Sequence, residues 1–217
     1  MIAVIGIPRL QGVGADADVA GLAASIAVAA AGNDERVELV GKVGDDPAGD
    51  VLLVALARHG VGHVATLRDP ARMTPVAPMV EDPADLDIDE ADGPHTADAG
   101  PEPPAAVPML EAADVSLALR YLPELGVIVT VHVATDVVAE AIAAAGWART
   151  ALIVVVDPAA DPPEGLPNDA VAIAVADHDE LAAGAGAAIG RYAAAIDRGD
   201  PADAAYANLK ATGMTPA

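Results

Sequence analysis

A run of small residues at 183–190 is the first candidate for chemistry, since it contains Gly184, Gly186 and Gly190 and leads into a helix-like sequence. Glycine amides at a helix N-terminus can surround a phosphate, because they point at the anion and the helix dipole favours negative charge. We therefore predict an anion-binding loop at Gly184, Ala185 and Gly186. The residues leave open the alternative that these glycines only make a tight entry into the helix.

A polar cluster, Asp177-His178-Asp179-Glu180, comes directly before this run. Carboxylate oxygens are the ligands that Mg²⁺ and Ca²⁺ prefer, so this cluster is a candidate cation site. Clustered acids on an acidic surface can equally be solvated. The chain has no cysteine, which excludes thiolate nucleophiles, disulfides and cysteine-based zinc sites.

A third block, residues 41–50, reads Gly-Lys-Val-Gly-Asp-Asp-Pro-Ala-Gly-Asp and begins a predicted helix. It closely resembles the N-terminal signature of the ribokinase (PfkB) family of carbohydrate kinases. Further blocks resemble other motifs of that family and occur in the family's order: 20–29 its Gly-Gly-x-x-x-Asn helix start, 154–159 its strand ending in Asp-Pro, 177–180 its Asn-x-x-Glu motif, and 184–187 its Gly-Ala-Gly-Asp loop.

This resemblance implies a ribokinase-like α/β fold and assigns roles to particular positions. It places on the substrate side of the site the residues Gly21, Ser25, Gly41, Gly44 and Asp45. It also implies that the loop 184–186 is an anion hole and that Asp177 and Glu180 organise Mg²⁺. ATP and Mg²⁺ are implied as cofactors only if kinase chemistry is retained.

Several positions depart from the family pattern. The catalytic aspartate is replaced by Ala187, and the sugar-binding asparagine is replaced by Ser25. Gly6 is followed by Ile-Pro-Arg instead of the usual aspartates. Three residues separate Glu180 from Gly184, where family members carry several strands of the nucleotide pocket, so we expect a fold that is shortened in its nucleotide-binding half.

These departures favour a non-catalytic relative of the sugar kinases that binds a metabolite or a protein partner. One alternative is an active ATP-dependent carbohydrate or nucleoside kinase with a rewired site. Another is a structural or oligomerisation protein in which a lid over the sheet forms a homodimer interface.

The elements that must position these residues alternate between strands and helices. Strands are predicted at 2–5, 37–40, 61–67, 127–133, 152–156 and 171–175. Helices are predicted at 19–31 with Asp18 as cap, 47–59, 114–122, 135–145, 179–197 with a possible restart at Gly184, and 201–212. This alternation predicts a largely parallel sheet with helices on both faces.

We expect one domain over residues 1–217, interrupted at 69–108 by an irregular acidic insertion or lid in which 74–80 is the best strand candidate. The formal net charge is −22, which disfavours nucleic acid and anionic membranes as partners. The acidic composition resembles that of salt-in halophiles, especially haloarchaea; an acidic protein from a GC-rich organism is the other interpretation. No basic segment precedes the first apolar run, so a cytoplasmic location is expected.

Overall fold

The computed structural model describes residues 1–12, 14–77, 106–161, 163–176 and 179–211, with the backbone alone at 15 and 179–183. Within these ranges the strands are β1 (Ile2–Ile5), β2 (Arg9–Gln11), β3 (Asp18–Ala20), β4 (Val37–Gly44), β5 (Thr66–Asp69), β6 (Val127–Val131), β7 (Ala151–Val156) and β8 (Val171–Ala174). The helices are α1 (Leu22–Ala31), α2 (Pro47–Arg58), α3 (Ala112–Tyr121), α4 (Thr135–Ala148), α5 (Asp179–Asp197) and α6 (Ala202–Ala211).

Six strands form one parallel sheet in the order β5-β4-β1-β6-β7-β8, while β2 and β3 form a separate antiparallel hairpin. Apart from the edge strand β5, the strands of the large sheet are rich in valine or isoleucine, as expected of strands that are covered on both faces. The predicted α/β class and largely parallel sheet are confirmed.

The two faces of the sheet have separate apolar cores. Successive residues of β1 alternate between them, with Val4 in the core beneath α1, α5 and α6 and Ile5 in the core beneath α3 and α4. The first core contains Ile26 and Ile189, both fully buried. Helices therefore cover both faces of the sheet, as predicted.

The predicted start of the first helix is wrong. The helix begins at Leu22, after Gly21 with a φ of 84°, because residues 18–20 pair with β2 in the hairpin. Asp18 consequently caps no helix; its carboxylate lies 2.7 Å from Nε2 of His59 at the end of α2. Burial would raise the pKa of Asp18, but its hydrogen bonds with His59 and the backbone lower that pKa below its ordinary value.

The predicted helix restart at Gly184 is also wrong. Residues 179–197 form one continuous helix, α5. The predicted strand 61–67 is displaced, since β5 occupies Thr66–Asp69. Of the strand expected at 74–80, Val76 makes a single bridge to Leu10, and residues 78–80 lie outside the described ranges.

The described part of the 69–108 segment is hydrogen-bonded both to β4 and to the hairpin: the N–H of Gly44 donates to the hydroxyl of Thr74, and the N–H of Leu10 donates to the carbonyl of Pro75. Among the described residues, no helix combines the length and the apolar character needed to cross a bilayer.

Candidate functional site

The order of the sheet reverses between β1 and β6. From β1 the chain proceeds to β4 and β5 on one side, and then returns to β6, β7 and β8 on the other. In open parallel sheets, ligands bind outside the carboxyl ends of the strands at such a reversal. A cavity of about 180 Å³ lies at this place and is lined by Ile7, Arg9, Leu22, Ala23, Pro75, Val107, Val131 and His132. We call it the switch-point cavity.

Two polar side chains stand among the apolar ones in this lining, Arg9 and His132. The aliphatic part of Arg9 covers Gly21, where a Cβ would lie 3.4 Å from the Arg9 Cγ. Gly21 also precedes α1, whose first residues line the same cavity, so the positive end of the helix dipole lies at its wall. The described lining therefore combines apolar side chains with Arg9, His132 and this helix end.

His132 has an unusual backbone for a residue at the end of a strand. Its φ is 47°, in the left-handed region that costs a non-glycine residue roughly 1–2 kcal/mol. Its Nε2 lies 2.8 Å from the carbonyl oxygen of Val175. Because a carbonyl only accepts, Nε2 carries the hydrogen, which leaves Nδ1 of the neutral ring as an acceptor. Strained residues of this kind concentrate at ligand sites.

His132 also lines a second cavity of about 270 Å³, beyond the ends of β6 and β7. That cavity includes Thr135 at the start of α4, together with Asp157 and Asp161. Asp157 uses one oxygen to accept the N–H of Ala159 at 2.7 Å. His132 therefore borders both the switch-point cavity and this second cavity, whose lining includes two carboxylates.

The structure places Gly184, Ala185 and Gly186 inside α5, at its sixth to eighth residues. Only the first four N–H groups of a helix lack an intrahelical partner, so these three amides are used by the helix itself. These residues therefore do not lie at a helix N-terminus in this arrangement, and anion binding at 184–186 stays a prediction. Ala187, which the resemblance aligns with the catalytic aspartate, is half-buried on the same helix.

Two of these glycines allow α5 to pack directly against α1. A Cβ on Gly186 would lie 2.5 Å from the Ser25 Cβ, and one on Gly190 would lie 2.5 Å from the Ile26 carbonyl oxygen. A Cβ on Gly184 would meet nothing within 4 Å. Gly186 and Gly190 are thus explained by helix packing, and Ser25 belongs to the same contact.

The block at 41–50 forms a hydrogen-bonded junction at the end of β4. Asp46 accepts the N–H of Gly49 at 2.7 Å as the cap of α2, and it also accepts the N–H and hydroxyl of Thr74 at 2.7 and 2.8 Å. Burial would raise the pKa of Asp46, but these hydrogen bonds lower it below its ordinary value. The N–H of Gly44 donates to the Thr74 hydroxyl at 2.9 Å.

The remaining substrate-side predictions lie in β4 or directly after it. Gly41 lets the chain after β1 approach, since a Cβ there would lie 2.7 Å from the carbonyl oxygen of Gly6. Asp45 is exposed and pairs with Arg68 at 3.4 Å. Gly21 is also one of the predicted substrate-side residues. It lies beside the switch-point cavity, because it contacts Arg9, whose side chain lines that cavity.

The predicted metal ligands cannot be placed from the described residues. Asp177 lies outside the described ranges, and only the backbone of Glu180 is described. In the part of the chain that is described, no group of three or more His, Cys, Asp or Glu side chains is arranged to hold a metal ion. The metal site therefore stays a prediction.

Sequence reasoning did not select Arg9 or His132 as site residues. Each follows a strand that borders the reversal, but this becomes visible only once the strand order is known. For Arg9, the available sequence signal was its place in the Ile-Pro-Arg run that departs from the family pattern. For His132, the signal was only its position just beyond a buried apolar run.

A family model, that of the pfkB family carbohydrate kinases, matches residues 14–213 of the chain. A comparison with curated proteins finds no match. Among solved structures, the chain is similar to Sa239 with a TM-score of 0.59 and 14% identity, covering 97% of this chain and 92% of that one. It is also similar to a candidate ribokinase from Agrobacterium tumefaciens, with a TM-score of 0.55 and 14% identity, covering 94% and 86%.

A fructokinase from Xylella fastidiosa with bound ATP aligns with a TM-score of 0.49 and 16% identity. The alignment covers 97% of this chain and 68% of that one. The present chain thus spans about two thirds of the length of that relative.

Proposed function

We propose a function that starts from the family, since the match over residues 14–213 shows that the chain belongs to the pfkB family of carbohydrate kinases. Within that family, the proposed function of this chain is to bind a small metabolite without transferring a phosphoryl group. The observation that carries this proposal is the state of α5. The catalytic position is alanine, at Ala187, and the glycines that would hold the phosphate lie within the helix.

Phosphoryl transfer needs a group that positions the phosphates, a cation, and a base for the attacking hydroxyl. ATP and Mg²⁺ are the groups that the family implies. The described residues fit them poorly, because the amides of 184–186 are used by α5 and residue 187 offers no carboxylate. We therefore derive no transfer step for this chain.

The switch-point cavity supports the binding half of the proposal. It combines apolar walls with a guanidinium, an imidazole and the positive end of α1. Arg9 would donate to an oxygen of the ligand, and Nδ1 of His132 would accept from a hydroxyl. A small metabolite with an apolar part and one oxygen-rich end is the chemistry that suits these walls.

The first experiment separates binding from turnover. Melting temperatures are measured in high salt with a panel of sugars, sugar acids, nucleosides and nucleotides, since a ligand that binds the native state raises its stability by mass action. A coupled assay for ADP is run on the same panel with ATP and Mg²⁺. We expect at least one stabilising metabolite and no ADP above background.

Matched variants assign any binding to the cavity. Arg9→Met keeps the aliphatic stem and removes the charge, and His132→Asn keeps a residue that tolerates the left-handed backbone. Both should abolish the ligand-induced rise in melting temperature, whereas Arg191→Met, on α5 at a different cavity, should not.

Family membership favours a second candidate, an active ATP-dependent kinase with a rewired site. Sustained ADP formation that depends on one substrate, and that is lost in Arg9→Met, would establish this candidate. It would overturn the non-catalytic proposal.

A further inference from the structure

The last strand of the sheet, β8, has an outer edge that pairs with no other strand within the described ranges. The N–H of Val175 bonds to the carbonyl of Val156 in β7, so alternate residues of β8 face β7. Backbone groups alternate in direction along a parallel strand. Ala172 and Ala174 therefore direct their N–H and C=O groups away from the sheet.

Apart from its short length of four residues, this edge lacks the features that usually protect an exposed strand. Natural edges carry charged residues, proline, or bulges that prevent pairing with another chain. The sequence of β8 is Val-Ala-Ile-Ala, and it pairs with β7 in register over all four residues. An unprotected, uncharged edge of this kind is a template for an added strand.

A groove of about 650 Å³ runs beside the β8 edge, between the sheet and the helices α5 and α6. Its apolar lining includes Leu166, Tyr192, Ile196 and Tyr206. The groove can therefore accept the alternate apolar side chains of a strand that pairs with β8.

The charges at this groove are acidic. Asp169 and Asp203 line it, and both are exposed. Lys210 lies over the ring of Tyr206, 4.9 Å from its centroid, and is not among the lining residues. The chain as a whole carries a net charge of −22, so the local and the overall fields both favour a cationic partner.

We propose that the β8 edge and its groove bind an extended segment of a different protein, in which apolar and polar residues alternate and lysine or arginine flanks the apolar part. Backbone hydrogen bonds to Ala172 and Ala174 would supply affinity, and the groove and its acids would supply specificity. A second copy of this chain is a poor occupant, because it would bring two sets of the same acids together. This proposal is independent of the metabolite site.

The probe is a synthetic peptide of about six residues, the usual strand length, with alternating valine and threonine and a lysine at each end. Its matched control has glutamate in place of both lysines. Binding is measured by isothermal titration calorimetry at low and at high salt. We expect saturable binding of the lysine peptide that weakens with salt, and no binding of the glutamate peptide.

Two variants locate the interaction. Ala172→Pro removes an outward N–H without removing a hydrogen bond to β7, and it should weaken the lysine peptide roughly tenfold. Asp169→Lys with Asp203→Lys should reverse the preference, so that the glutamate peptide binds better. Asp136→Lys with Glu140→Lys, on α4 across the sheet, makes the same change in charge and should leave the preference unaltered.

Three results would overturn the proposal. The first is the absence of saturable binding by the lysine peptide. The second is a dimer in analytical ultracentrifugation that Ala172→Pro dissociates, since a second copy would then occupy the edge. The third is slow hydrogen exchange at the amides of Ala172 and Ala174 in the free monomer, since a segment of the chain itself would then cover the edge.

Discussion

Replacing Gly190 by alanine tests directly why the glycines of α5 are present. The added Cβ would lie 2.5 Å from the carbonyl oxygen of Ile26, 2.7 Å from the Cβ of Ala29 and 2.9 Å from the amide nitrogen of Ala30. Two of these three atoms belong to the backbone of α1 and cannot rotate away, so the two helices must separate.

Overpacking of this kind costs about 1–3 kcal/mol, and the close approach to a carbonyl places Gly190→Ala near the upper end. Alanine also has a better helix propensity than glycine, which stabilises the variant by about 1 kcal/mol. The expected net loss is about 2 kcal/mol in the free energy of unfolding. For a chain of this length, that corresponds to a fall of roughly 4–8 °C in melting temperature.

Gly184→Ala is the matched control, because it makes the same chemical change on the same helix where a Cβ meets nothing within 4 Å. It should stabilise the protein by up to about 1 kcal/mol. Both variants are compared with the parent by thermal and urea unfolding, followed by circular dichroism at one fixed high salt concentration.

The reasoning would be refuted if Gly190→Ala were as stable as the parent, because α1 and α5 would then not be in close contact. It would also be refuted if Gly184→Ala abolished the binding of a nucleotide while leaving stability unchanged. That outcome would indicate that Gly184 belongs to a phosphate-binding loop.

Four other predictions follow from particular contacts and charges. Ala187→Asp should not produce ATP-dependent transfer in the coupled assay, because the amides of 184–186 remain within α5; measurable turnover would contradict this. Asp46→Asn should cost about 2 kcal/mol near neutral pH, through lost charge-assisted hydrogen bonds to Thr74 and the cap of α2. These bonds outweigh burial and lower the pKa of Asp46 below its ordinary value, so the parent loses this stabilisation as the pH falls through the folded-state pKa. Urea unfolding in acid should therefore show a smaller difference in stability between Asp46→Asn and the parent. Burial and the nearby Asp197 carboxylate raise the pKa of Glu35 and outweigh its pairing with Arg198, so the stabilisation from its proton is present in acid and is lost as the pH rises through that pKa. Glu35→Gln should therefore melt higher than the parent at neutral pH, with the difference vanishing in acid. Finally, the melting temperature should rise between roughly 0.1 M and 2 M KCl, because the Debye length falls from about 10 Å to 3 Å or less; a flat response would mean that the acids are already paired or well separated.

Five of the six strands of the large sheet could be predicted because apolar, mostly β-branched residues dominate their runs, as in β7. The sixth, β5, has the sequence Thr-Leu-Arg-Asp and carries no apolar run, so its predicted position at 61–67 was displaced. The start of α2 was also predictable, since Pro47 follows a capping aspartate. The hairpin was missed because β2 and β3 have three residues each and carry polar side chains, so no periodic pattern extends far enough to be recognised.

The candidate site was less predictable than the fold. The break expected at Gly184 did not occur, because packing of α5 against α1 outweighs the low helix propensity of glycine there. The switch-point cavity combines Arg9 with His132, which lie far apart in sequence and are brought together because β1 and β6 are neighbours in the sheet. The order of the strands cannot be read from any local sequence pattern, so this cavity could not be predicted.

The central place of β1 has a consequence for how the protein is made. Ile2 pairs with Val37 on one side and with Val127 on the other. During synthesis, β4 and β5 emerge soon after β1 and can assemble with it, whereas its second partner emerges much later. Contacts between distant residues form slowly, and an incomplete sheet exposes an apolar edge that can pair with other chains. The growing chain should therefore need protection, by chaperones or by its own negative charge, until β6 has left the ribosome.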